Sequence, residues 1–98
     1  MFFNFPGPTD LETWAQDYRL EVTTTDDGPA VTGINGHICQ HTEDLLAVTI
    51  AGRWVSSRHK LINAGCVVVQ DGDREGMVSF DPNDAEASLA VLRIIHLK

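Results

Sequence analysis

An α+β domain built on an antiparallel sheet is what this sequence predicts, and three observations carry it. Stretches of period-two hydrophobic alternation recur along the chain, other stretches set apolar residues at helical spacing behind cap-type residues, and short turn signals join neighbouring strands. The expected order is α-β-β-β-α-β-β-α, a sheet of about five strands with two or three helices packed on one face. At 98 residues the chain is expected to be a single domain, 1–98, with one modest core.

The first eight residues, with Phe2, Phe3, Phe5, Pro6 and Pro8, read as a loose N-terminal arm. Thr9-Asp10-Leu11-Glu12 matches a capping box, in which the Thr9 hydroxyl and the Glu12 carboxylate each satisfy an orphan backbone N–H. A short helix from about Asp10 to Asp17 follows, with Leu11, Trp14 and Ala15 on one apolar stripe. From Tyr18 the period changes to two, so Tyr18, Leu20 and Val22 predict a half-buried strand. Asp26-Asp27-Gly28-Pro29 is a turn.

The next strand covers Val31 to Gln40, broken by Gly33 and by Asn35-Gly36. That dipeptide signals either a tight hairpin or a bulge, and a bulge is favoured because hairpin arms of four residues would be marginal. His41 to Asp44 form a turn into a strand from Leu45 to Ala51, where Leu46, Val48 and Ile50 face inward and Gly52 ends the run. Arg53 to Ala64 has Trp54, Val55, Arg58, Leu61 and Ile62 at helical spacing, with Gly65 placed just past the end. Cys66–Gln70 and Met77–Phe80 form a hairpin across an Asp/Gly turn. Asp81 caps the last helix, Pro82 suits its first position and Asp84 complements its dipole, with Ala85, Leu89, Leu92 and Ile95 continuing it. The apolar ending from Leu92 to Lys98 fits an edge strand equally well.

The net charge of −7 disfavours direct contact with nucleic-acid phosphates or anionic lipid and suits a protein partner with a basic surface. Met1 to Pro6 lacks the basic residues and the length of a signal peptide, and no stretch approaches the roughly 20 apolar residues of a membrane span. A cytoplasmic location is expected, with Cys39 and Cys66 as free thiols.

Chemistry-bearing residues concentrate in Gly36-His37-Ile38-Cys39-Gln40-His41. On a strand, His37, Cys39 and His41 share one face, and imidazole and thiolate are ligands for zinc or copper. Same-face residues lie roughly 6.5–7 Å apart, which separates His37 from His41 by about 13 Å and admits at most two of the three to one site. Cys66, His59 or an acid from elsewhere would have to complete it.

Asp71-Gly72-Asp73-Arg74-Glu75-Gly76-Met77-Val78 matches the start of an EF-hand loop, but Pro82 stands where the bidentate Glu is required and strands flank it. It reads as an acidic turn in which Gly72 and Gly76 supply positive φ. The basic run from Arg53 to Lys60 contains Trp54 and could hold an anion or an acidic peptide. No nucleophile elbow, P-loop or dinucleotide fingerprint is present, so the reading leans away from an enzyme.

At Gly36-His37-Ile38, at the strand Leu45–Ile50 and at Gln70–Gly76 followed by Val78 and Phe80, the chain resembles small uncharacterised proteins of bacterial and phage or mobile-element genomes. The likeness covers most residues from Tyr18 onward and implies no established activity. Such proteins often continue into a basic tail; this sequence stops at Lys98, so tail-mediated binding does not carry over.

The expectation is therefore a non-enzymatic acidic binding module for a protein partner, with a phage-type inhibitor or nucleic-acid mimic as one concrete form. The contact acids are Asp26, Asp27, Glu43, Asp44, Asp71, Asp73 and Glu75, in three turns that would form one patch if they share an end of the sheet. The competing expectations are a metal-binding protein or metal-dependent enzyme using Cys39 with His37 or His41, and a homo-oligomer paired through Val31–Gln40 or Ile94–Leu97.

Overall fold

A computed structural model describes residues 9–96, so the N-terminal arm and the last two residues lie outside the described part. Three helices and six strands follow in the order α1 (Leu11–Asp17), β1 (Thr23–Thr25), β2 (Gly28–Thr32), β3 (Gly36–Gln40), β4 (Leu46–Ala51), α2 (Trp54–Asn63), β5 (Val67–Asp71), β6 (Glu75–Phe80) and α3 (Ala85–Ile95). The sheet order is β1-β2-β3-β4-β6-β5 with every neighbouring pair antiparallel. This is the α+β class the sequence predicts, with one strand more. The α2 crossover carries the chain past β6's place to the far edge, and β6 then returns between β4 and β5.

All three helices cover one face. Leu11 and Trp14 of α1, Trp54 and Leu61 of α2, and Val91 and Ile95 of α3 join Val31, Ile38, Leu46, Val48, Ile50, Val78 and Phe80 of the sheet in one buried cluster. Each large side chain so buried contributes about 1.5–3 kcal/mol. The polar tips of both tryptophans are satisfied: Trp14 Nε1 donates to Ser88 Oγ at 3.0 Å, and Trp54 Nε1 donates to Asp71 Oδ1 at 2.8 Å. No helix among the described residues is long and apolar enough to cross a membrane.

Several local expectations are corrected. Asp10, not Thr9, caps α1: its Oδ1 accepts from the Thr13 N–H at 2.9 Å, while Thr9 Oγ1 donates to Asn83 Oδ1. Tyr18 to Val22 is not a strand. Arg19 takes a left-handed φ of 57°, its N–H donates to Gln16 and that of Leu20 to Ala15, so these groups terminate the helix instead of joining a ladder. Tyr18, Leu20 and Val22 still pack against the core. The additional strand, β1, lies just beyond, at three threonines that alternation did not single out.

Gly33 to Asn35 form a tight loop, not a bulge, because Thr32 pairs directly with His37 and Val31 with Ile38. Short arms suffice because β1 and β4 flank this hairpin on both sides. The loop also receives tertiary support: the Ile34 and Asn35 N–H groups donate to the Ile95 carbonyl at the C-terminus of α3. Asp84 rather than Asp81 caps α3, accepting from the Ala87 N–H, while Asp81 accepts from the Asn83 N–H in the preceding turn. The ending is helical to Ile95, and His96 closes it at φ 49°.

Neither stretch expected to self-pair provides an edge strand among the described residues. The strands within Val31–Gln40 are interior to the sheet, Ile94 and Ile95 are helical, and Leu97 lies outside the described residues.

Candidate interaction surface

The alternation of β3 turns Ile38 toward the helices and His37 and Cys39 toward the opposite side. Register extends this into two rows across the central strands: Ala30, Cys39, Ala47 and Ser79 in one, Thr32, His37, Thr49 and Met77 in the other. No Asp, Glu, Lys or Arg stands in either row. In the first row Ala30, Ala47 and Ser79 are buried, and Ala30 and Cys39 together with the second row line a shallow concavity of about 470 Å³ that reaches Asp27 and Pro29 at one end.

His37 and Cys39 thus share a face, as alternation requires, whereas His41 lies past the strand with its N–H donating to the Leu45 carbonyl. Among the described residues no group of three or more His, Cys, Asp or Glu is placed to hold a metal ion. Cys66 belongs to the core cluster while Cys39 lines the opposite face, and both are free thiols. Burial, and secondarily the charge of Asp27, holds the Cys39 thiol above its ordinary pKa; burial and then Asp84 push Cys66 up to about 11. Thiols held in their protonated form are weak ligands and weak nucleophiles.

The acidic turns do not form one patch. Thr25 pairs with Gly28 and Gln40 with Leu46, which sets Asp26, Asp27, Glu43 and Asp44 at the same end of the sheet. Asp71, Asp73 and Glu75 lie at the other end, where Glu75 pairs with Ala51. Asp71 is moreover committed internally. It accepts from Trp54 Nε1 and from Arg58 Nη1 at 2.9 Å, and these bonds, that of Trp54 foremost, hold its carboxyl below the ordinary range. Asp26, Asp27, Glu43 and Asp44 are exposed, and no cation among the described residues pairs with them.

The EF-hand-like turn has a packing explanation. Neither Gly72 nor Gly76 has positive φ; among the described glycines only Gly28, Gly52 and Gly65 do. Gly76 is required because a Cβ there would enter the Trp54 ring. Trp54 itself is fully buried and cannot stack a base.

Arg53 and Lys60 instead border a groove of about 950 Å³ between α2 and α3, together with Arg93 and His96. Arg53 Nη1 lies 3.2 Å from His96 Nε2. Arg93 and His96 were not legible as site residues, because their segment reads locally as apolar.

No family model matches the chain, and neither the curated proteins nor the solved structures contain a match.

Proposed function

We propose that this chain is a non-enzymatic binding module that engages a protein partner through the helix-free face of its sheet and the acidic end beside it. The observation that carries the reading is the charge pattern of that face. In a chain with 21% charged residues, two whole rows across four strands are uncharged, and four carboxylates that no cation among the described residues pairs with border them at one end. A partner that fits presents a small apolar patch with basic residues at one side. The basic residues steer association, and the desolvated centre holds the complex. In its most specific form the partner is a nucleic-acid-binding protein whose basic groove accepts Asp26, Asp27, Glu43 and Asp44 in place of phosphates. Both cysteines as thiols suit a reducing compartment such as the cytoplasm.

The test is capture from host extract with the wild-type chain beside two variants, the double reversal Asp26→Lys/Asp27→Lys and the face variant Thr32→Arg. A partner protein retained by wild type and weakened about tenfold or more in both variants supports the reading. Retention of every captured protein by both variants overturns it. Loss of capture when duplex DNA is added, with the chain itself not binding DNA, identifies the mimic form.

A further inference from the structure

The exposed large apolar side chains are not scattered. Among the described residues six are exposed: Ile34, Val55, Ile62, Val67, Val69 and Leu89. Four of them belong to two neighbouring elements: Val67 and Val69 stand on the edge strand β5, Val67 beside Ser79 on the helix-free face, and Val55 and Ile62 stand on α2 over the other face. Val55 and Ile62 stand two helical turns apart on the same flank of α2. Arg58, between them, pairs with Asp71 at the end of β5, so this flank overlooks the β5 edge.

Among the described residues β5 is hydrogen-bonded to β6 alone, and no other described strand pairs with its outer row of N–H and C=O groups. From Cys66 to Gln70 it carries no charge and no proline, the usual means of blunting an edge; a register shift between Val68 and Gln70 is the single irregularity. The opposite edge contrasts with it. β1 is three exposed threonines followed directly by Asp26 and Asp27.

We infer that two copies of this chain associate about a two-fold axis, β5 pairing antiparallel with β5 of the partner subunit and α2 lying antiparallel to its counterpart. The occupant is a second copy because the surface is complementary to itself. A two-fold axis normal to the sheet reverses strand and helix together, so Val55 meets Ile62 of the partner subunit and Ile62 meets the partner's Val55. Charge favours this edge over others. The chain carries −7 and repels its own copy over most of its surface, but the β5 run is neutral and its terminal Asp71 is paired with Arg58. Five-residue strands give a contact about 17 Å long. Such a footprint sits at the small end of specific interfaces, so association is expected to depend on protein concentration.

Sedimentation velocity of the full chain, from low-micromolar to near-millimolar protein, tests the inference. The mass doubles across that range, and Val67→Lys and Ile62→Glu each keep the chain monomeric with an unchanged far-UV spectrum and melting temperature. Two controls away from the edge, Leu89→Glu and Thr32→Arg, leave the dimer intact; the second also separates this inference from the partner surface. A chain monomeric throughout, a dimer that survives both edge variants, or one abolished by the controls instead would overturn it.

Discussion

Trp54 is held by two residues that the sequence presents as parts of an acidic turn. Its ring rests against Gly76, and its Nε1 donates to Asp71, which also receives Arg58. Adding a methyl at Gly76 drives a Cβ into the indole, so Gly76→Ala is expected to destabilise the fold by about 1–3 kcal/mol, measured by urea denaturation followed through tryptophan fluorescence. An unchanged midpoint would show that the indole shifts freely. Asp71 and Asp10 both have carboxyls held below the ordinary value of 3.8, Asp71 by the Trp54 bond and then Arg58, Asp10 by the Thr13 N–H. A depressed folded-state pKa means that the stabilisation is present above the ordinary value and is lost as pH falls through the folded one. Asp71→Asn is therefore expected to flatten the loss of stability below about pH 4 while lowering stability at neutral pH, read from melting temperatures across an acid titration.

At the scale of elements, periodicity placed most of what it can place. The inward face of β4, the β5–β6 hairpin, the span of α2 and its Gly65 terminus, and the stripe of α1 are all as their spacing predicts. Element ends and loops were decided by partners remote in sequence. The first N–H of α1, from Leu11, donates to Gln40 Oε1 at 2.9 Å, and Gln40 Nε2 donates back to the Thr42 carbonyl at 2.7 Å. One side chain thus ties α1 to the β3–β4 turn. Gln40→Ala leaves these groups to water and is expected to cost about 1–2 kcal/mol, with faster hydrogen exchange concentrated in α1 and the turn. Uniform loss of protection across the sheet would contradict the local role. The bulge expected at Asn35-Gly36 failed for a related reason: isolated arms of that length are weak, yet here both have a second strand beside them and the loop seats on the end of α3.

Over the whole molecule, the distribution of charge and exposed apolar surface separates the two interaction readings. The acids flank β1 to β4, whereas the uncharged rows run on to Ser79 and Met77 of β6, which pair with Val67 and Gln70 of β5, so the two surfaces are separated by variants at their far ends, Thr32 on β2 and the Asp26–Asp27 turn. The third acidic turn stands at the far end because an extra reversal, through α2 and β5, precedes it. By itself the sequence determined the α+β class, the helical and extended periodicities, the two faces of β3 and the net charge, because each is written within about ten neighbouring residues. Which strand lies at an edge, which turns share an end and why Gly76 must stay a glycine were decided only by tertiary structure. So was the meeting of Arg53 with His96, which stand 43 positions apart. These depend on strand order and crossover, which bring together residues whose local patterns carry no information about one another.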